Sequence, residues 1–116
     1  MDLIVSQTRR LRGEVSVPPN KSHSFRALVA AGLADGVSAI RRPAVSNDWR
    51  RGVRALQMLG AKVEQDDGQS WRISGVAGRP KTPDDVIDCG NSGLILRFFA
   101  AAAGLCDGYT VLTGDE

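Results

Sequence analysis

The chain of 116 residues has few of the residues that mark several protein classes. Its two cysteines, Cys89 and Cys106, have neither metal-ligand spacing nor a disulfide framework around them, so we expect reduced thiols in the cytoplasm. No run of about eighteen apolar residues and no basic, apolar leader is present, which argues against membrane and secretory functions. With 5% aromatic residues and a net charge of +2, the chain also does not have the composition of a nucleic-acid-binding protein.

What is present is typical of one globular domain. The chain is 42% hydrophobic and 24% charged. A chain of this length buries roughly two thirds of its unfolded surface, which suffices for one core.

An internal repeat is the most informative feature. The sequence AGLADG at residues 31–36 recurs 72 positions later as AGLCDG at residues 103–108. Upstream of each copy, a serine and an arginine stand near the start of a predicted helix: Lys21-Ser22 with Arg26, and Asn91-Ser92 with Arg97. Because free N–H groups and the helix dipole favour negative charge at a helix start, the repeat predicts two anion-binding sites, for phosphate or carboxylate.

The hydrophobic pattern alternates between strands and helices. It predicts strands at residues 3–5, 15–17, 37–40, 61–64 and 71–73, the last two forming a hairpin, and helices over residues 22–34 and from the N-cap Ser46 to Gly60. The pattern then restarts with a strand at 86–88, a helix over 92–103 and a strand at 109–112. We therefore predict a βαβαββ unit over residues 13–74 and the start of a second over 84–116, so that the chain is expected to be a fragment.

The residues at the two helix starts suit anion binding. Lys21 and Arg26 lie at the positive end of a helix dipole, which is unfavourable for cations unless an anion is bound. Ser22 adds a hydroxyl and, with Ser24, backbone donors, and Arg26 adds a planar fork that matches phosphate or carboxylate. At the second site, two glycines around Asn91-Ser92 would let a ligand approach the backbone closely. From these residues alone, a serine-capped helix with solvated basic side chains remains an alternative.

These segments together resemble one family, the EPSP synthases (3-phosphoshikimate 1-carboxyvinyltransferases), over their N-terminal part. The resemblance covers residue 4 to the last residue, in order, and is carried by VPPNKSHSFRAL (17–28), SND (46–48), LGA (59–61), DCGNSG (88–93) with Arg97, and LTGD (112–115). The related UDP-N-acetylglucosamine enolpyruvyl transferases usually have asparagine after the lysine and lack the Asn-Ser-Gly loop. The resemblance therefore favours a shikimate-type substrate.

The resemblance implies a fold and a set of site residues. The fold is α/β, an inverse α/β barrel-like domain of three βαβαββ copies paired with a second such domain, of which about one and a half copies are expected here. Lys21 matches a residue between the substrates phosphoenolpyruvate and shikimate 3-phosphate, and Asp48 matches an acidic position near the hinge side of the cleft; we take both as candidate catalytic residues. Ser22 and Arg26 match residues that bind shikimate 3-phosphate, and Asn91 and Gly93 match the loop that approaches phosphoenolpyruvate.

The implied reaction transfers the enolpyruvyl group of phosphoenolpyruvate to the 5-hydroxyl of shikimate 3-phosphate and releases phosphate, with no metal or organic cofactor. This chain alone is expected to be inactive, because the family's second domain supplies the acid and base groups. We also expect self-association through the apolar strand at 109–112. The alternative function is a non-catalytic anion-binding or assembly module that has kept the fold.

Several positions depart from the family pattern or have a simpler interpretation. The departures are Pro19, Asn20, Phe25, Asn47 and Leu94, of which Leu94 places hydrogen bonding at the glycine loop in doubt. The single histidine, His23, is expected to be solvated or structural, and Trp49 and Trp71 to lie in the core. Arg50, Arg51 and Arg54 flank the apolar stripe of the second helix, and we expect them to form a solvated face.

Overall fold

In the part of the chain that the structure describes, three helices and five strands follow one another in the order that the sequence predicts from residue 21 onward. The structure, a computed structural model, describes residues 2–66 and 68–115. The elements are α1 (Lys21–Leu33), β1 (Val37–Arg41), α2 (Asn47–Met58), β2 (Lys62–Gln65), β3 (Ser70–Ser74), β4 (Ile87–Asp88), α3 (Gly93–Ala103) and β5 (Leu112–Thr113). The predicted helices are confirmed to within two residues at each end.

The larger sheet has three antiparallel strands in the order β1-β3-β2. The predicted hairpin is confirmed, since β2 pairs with β3 in a register that places Val63 opposite Ile73. Alternate residues point to one buried face, on which Ile73 is fully buried, and α1 and α2 contact the sheet. This is the pattern of an antiparallel sheet with one face on the core and the other in solvent.

The contact between α1 and α2 depends on a glycine. A Cβ atom on Gly52 of α2 would lie 2.6 Å from Cε2 of Phe25 and 3.2 Å from a methyl carbon of Leu28, both on α1. Phe25 also makes edge-on ring contacts with Phe98 and Phe99 of α3, at centroid distances of 5.8 and 6.3 Å. Phe25, a departure from the family pattern, is therefore the residue that joins the three helices.

The second sheet consists of the short parallel pair β4 and β5, connected through α3. Ile87 pairs with Leu112 and Asp88 with Thr113, so both strands end beside the start of α3. The strand predicted over 109–112 is shorter and displaced. The strand β5 covers Leu112–Thr113, the Val111 carbonyl oxygen accepts the Ile87 N–H at 2.9 Å, and Tyr109 is almost fully exposed. The carboxyl ends of parallel strands are where α/β sheets commonly bind ligands.

Residues 2–20 contain no helix or strand, so the strands predicted at 3–5 and 15–17 are wrong in this structure. Their apolar residues are exposed, among them Leu3, Val5, Val15 and Val17. A strand needs a neighbour to pair its backbone groups and a surface to bury its apolar face. No strand within the described ranges provides either for this segment. The predicted unit over 13–74 therefore lacks its first strand here, and the division into repeat units stays a proposal.

Candidate functional site

The start of α1 leaves two backbone donors open. Asn20 is the N-cap, and its Oδ1 accepts the His23 N–H at 2.9 Å, while its carbonyl oxygen accepts the Ser24 N–H at 3.0 Å. The N–H groups of Lys21 and Ser22 have no partner in the described part of the chain. The cap is therefore Asn20, and a ligand could accept hydrogen bonds from two adjacent donors.

Ser24, which we expected to contribute a donor to this site, has a structural role instead. Its side chain is buried, and its Oγ accepts the Ala44 N–H at 2.9 Å, which ties the segment before α2 to α1. Its own N–H is used within the helix. His23 is exposed, as predicted.

The start of α3, like that of α1, has an N-cap residue followed by two open backbone donors. Ser92 is the N-cap, and its Oγ accepts the Ile95 N–H at 3.3 Å, while its carbonyl oxygen accepts the Leu96 N–H at 3.1 Å. Among residues 2–66 and 68–115, nothing accepts from the N–H groups of Gly93 and Leu94. The side chain of Leu94 packs against the core, so its departure from the family pattern leaves its backbone donor in place.

Asp48 joins the two helix starts. This residue lies in the first turn of α2, and its Oδ2 is 2.8 Å from Lys21 Nζ and accepts a hydrogen bond from Ser92 Oγ at 2.9 Å. Its side chain is 14% exposed, against 57% for Lys21. Burial alone would raise the pKa of Asp48, but the hydrogen bonds from Lys21 and Ser92, with the charges of Lys21 and Arg51, outweigh it and hold the pKa below the ordinary value of an aspartate. Asp48 is therefore an anion that keeps the Lys21 ammonium beside the second helix start.

Arg51, which we predicted to be solvated, is instead half-buried and bonded to Asp88, the last residue of β4. Its Nη1 lies 2.7 Å from Asp88 Oδ1, and the same oxygen accepts the Gly90 N–H at 2.7 Å. Gly90 has φ +52°, and a Cβ atom there would overlap the Arg51 guanidinium. Arg50 and Arg54 are exposed, as predicted. An aspartate two residues before a glycine signals a local turn, but nothing in the sequence links that turn to Arg51.

The other predicted site residues lie on either side of the junction that Lys21, Asp48 and Ser92 form between the two helix starts. Ser22 and Arg26 are four residues apart on one face of α1, and Arg26 is exposed, with no ion pair in the ranges described. Asn91 and Gly93 line a cavity of about 330 Å³ at the ends of β4 and β5. The Arg97 guanidinium lies over Gly93, with Nη1 3.2 Å from the position of a Cβ atom there. Within the described ranges, the structure thus joins Lys21, Asp48 and Ser92 by an ion pair and a hydrogen bond, and Arg26 forms neither.

The remaining residues singled out in the sequence are the two tryptophans and the two cysteines. Trp49 is buried and Trp71 half-buried, in an edge-on contact at 5.4 Å, as predicted for core residues. Cys89 and Cys106 are free, and burial, with a smaller effect of the Asp88 charge, raises the pKa of Cys89 although Arg51 opposes it. Over residues 2–66 and 68–115, no three His, Cys, Asp or Glu side chains are grouped as metal ligands. Within the same ranges, no helix has the length and apolarity to cross a bilayer.

Comparison with known proteins identifies the family. Residues 5–116 match the family model for EPSP synthase (3-phosphoshikimate 1-carboxyvinyltransferase). A 3-phosphoshikimate 1-carboxyvinyltransferase of Halobacterium salinarum is 50% identical over 107 residues, covering 92% of this chain and 25% of that protein. One from Methanothermobacter thermautotrophicus is 47% identical over 116 residues, covering 100% of this chain and 27% of that protein.

A solved structure agrees. The EPSP synthase from Acinetobacter baumannii superposes with a TM-score of 0.80 at 26% identity, covering 89% of this chain and 24% of that one. The predicted α/β fold is thereby confirmed. The chain spans about a quarter of the length of the relatives that it matches. On the family match and these relatives, the chain belongs to the EPSP synthase family.

Proposed function

We propose that this chain forms one wall of the active site of an enzyme that transfers the enolpyruvyl group of phosphoenolpyruvate to the 5-hydroxyl of shikimate 3-phosphate. The observation that carries the proposal is the bonding of Asp48 to both Lys21 and Ser92. Through that one carboxylate, two helix starts with open N–H donors come together, as two anionic substrates that must react with each other require.

The α1 side of this junction is proposed to bind shikimate 3-phosphate. The backbone donors of Lys21 and Ser22, the Ser22 hydroxyl and the Arg26 guanidinium are of the kinds that bind a phosphate. The exposed Arg26 has no competing carboxylate among the described residues, which leaves its fork available to a ligand.

The α3 side is proposed to bind phosphoenolpyruvate. Asn91 and Gly93 line the cavity at the ends of β4 and β5, and the Gly93 and Leu94 N–H groups are open donors at the positive end of α3. Arg97, over Gly93, adds a positive charge.

In the reaction, the 5-hydroxyl loses its proton as its oxygen forms a bond to C2 of phosphoenolpyruvate, and the adjacent carbon takes up a proton. The resulting tetrahedral intermediate loses inorganic phosphate by cleavage of the C–O bond, and loss of a proton from the methyl group restores the double bond. Both substrates carry several negative charges, so a cation between them must offset their repulsion. We assign this task to Lys21, with Asp48 holding its ammonium in place.

The setting of this activity is part of the same proposal. We place the enzyme in the cytoplasm, in keeping with the free thiols of Cys89 and Cys106. We assign it no metal or organic cofactor, and as ligands the two substrates alone.

Phosphate release from phosphoenolpyruvate, measured with and without shikimate 3-phosphate, tests the proposal on the complete product of the gene. We expect release only when both substrates are present, and a loss of about 100- to 1,000-fold in kcat for Lys21→Ala, the range for removing one donor to developing charge. Lys62→Ala, which removes an exposed lysine of β2, is the matched control and should retain full activity.

Two other outcomes would reject the proposal. Binding of both ligands in calorimetry without phosphate release would favour the non-catalytic anion-binding module. Equal losses in Lys21→Ala and Lys62→Ala would show that general positive charge, rather than a positioned ammonium, promotes the reaction.

A further inference from the structure

The first two turns of α2 hold the β4–α3 loop at both of its ends. Asp48 bonds Ser92, where the loop enters α3, and Arg51 bonds Asp88, where the loop leaves β4. The two α2 residues are three positions apart and therefore lie on the same side of the helix. Between the two anchored ends lie Gly90 and Asn91, next to the proposed phosphoenolpyruvate cavity.

We propose that Arg51 is a positioning residue for phosphoenolpyruvate, because it fixes Asp88 and thereby the Gly90–Asn91 turn at the cavity. This inference rests on the function proposed above and assigns Arg51 no contact with substrate. The proposed role applies to Arg51 and not to Arg50 and Arg54, the neighbouring arginines of α2, because these two have no ion pair within the described ranges.

The geometry at Gly90 shows how Arg51 acts on the turn. One oxygen, Asp88 Oδ1, accepts from both Arg51 Nη1 and the Gly90 N–H, each at 2.7 Å. Arg51 therefore orients the carboxylate that holds Gly90 at its positive φ, and the guanidinium fills the space where a side chain on residue 90 would lie. Short hydrogen bonds between charged groups are roughly twice as strong as neutral ones, so this contact is suited to fixing a turn.

The charges support the same assignment. Asp88 directly precedes Cys89, one of the residues that line the cavity proposed to hold an anionic substrate, so an unpaired Asp88 would add negative charge close to that cavity. The Arg51 side chain is 33% exposed and that of Asp88 59%, so solvent screens much of their attraction and the position of the pair depends on its hydrogen-bond geometry. Arg51 thus both places the turn and neutralises the carboxylate that shapes it.

Steady-state kinetics of the complete gene product test this inference. We expect Arg51→Ala to raise KM for phosphoenolpyruvate about tenfold, the effect of losing one charge-assisted hydrogen bond, with KM for shikimate 3-phosphate changed less than twofold. Arg51→Lys should give an intermediate value, since it keeps the charge but not the planar fork. The matched control is Arg54→Ala, one turn further along α2, which should leave both KM values unchanged.

A double-mutant cycle with Asp88→Asn tests the route of the effect. If Arg51 acts through Asp88, Arg51→Ala with Asp88→Asn should be no worse than Arg51→Ala alone. Additive losses, equal rises in both KM values, or an unchanged KM in Arg51→Ala would each overturn the inference. Thermal unfolding of each variant identifies a folding defect, and Arg51→Lys still gives a result if Arg51→Ala does not fold. Absence of turnover in the unmodified protein would instead reject the proposed function.

Discussion

Single side chains set the electrostatics of the site, above all the Asp48 carboxylate, which bonds both Lys21 and Ser92. Its carboxylate is mostly buried yet remains charged, since a cation and a hydroxyl bond the same oxygen. Breaking such a network leaves a buried group without its partners, which is more unfavourable than losing an exposed ion pair. The residue therefore links local stability to the position of Lys21.

The lowered pKa of Asp48 predicts how stability depends on pH. Because the folded-state pKa lies below the unfolded value, the contribution of Asp48 is present above a pH of about 4 and is lost as the pH falls through the folded-state pKa. We expect Asp48→Asn to be less stable than the unmodified protein at pH 7, and the difference to shrink below pH 4. Urea unfolding midpoints of both proteins at several pH values measure this difference in stability. A difference that stayed constant or grew in acid would contradict the assigned pKa direction.

At the scale of elements, helix packing places the two anion-binding helix starts. The α2 helix contacts α1, α3 and β4, so it is the element from which both sites are positioned. Its close approach to α1 requires the missing side chain at Gly52. An error in this packing would shift Asp48 relative to Lys21 without changing any site residue.

Gly52→Ala tests this packing. Alanine is the better helix former by about 1 kcal/mol, but its Cβ would overlap the ring of Phe25, which is 1% exposed and enclosed by α3. Overpacking typically costs about 1–3 kcal/mol, so we expect a net decrease in the free energy of unfolding, measured by urea denaturation. Gln57→Ala, which places alanine on the exposed side of α2, should change it by less than about 0.5 kcal/mol. A stabilised Gly52→Ala variant would mean that α1 and α2 are further apart than described.

At the scale of the whole molecule, apolar surface remains uncovered. The radius of gyration is 17.9 Å, compared with about 13 Å for a compact chain of 100 residues, because residues 2–20 extend away from the core. Beside β5, Val111 and Tyr109 are 60% and 99% exposed, and β5 pairs only with β4 among the described strands. Open strand edges with apolar neighbours are sites where chains associate.

We therefore predict that the 116-residue chain forms dimers or larger species, measured by multi-angle light scattering. Val111→Lys places a charge beside the open edge of β5 and should shift the chain toward the monomer. Val45→Lys, a matched change at another exposed valine, should not. A monomer in the unmodified chain, or equal dissociation in both variants, would contradict association through β5.

The sequence by itself determined the helices, the hairpin and the two helix starts, because these depend on residues close together along the chain. The 3.6-residue period of apolar side chains, the cap at Ser46 and the turn after β2 act over a few positions. The family resemblance likewise depended on contiguous motifs, and the family match confirms it. Ser22, Arg26, Asn91 and Gly93 remain predicted ligands of the two substrates.

Only the tertiary structure decided how the two sites are joined. The Asp48–Ser92 bond spans 44 positions and the Arg51–Asp88 bond 37, and no local pattern specifies which charged residues will meet over such separations. The same reason explains the missing strands before residue 21. The alternation of apolar and polar residues indicates which side chains a segment could bury. A strand forms only where a neighbouring strand pairs its backbone groups and an apolar surface covers its apolar face.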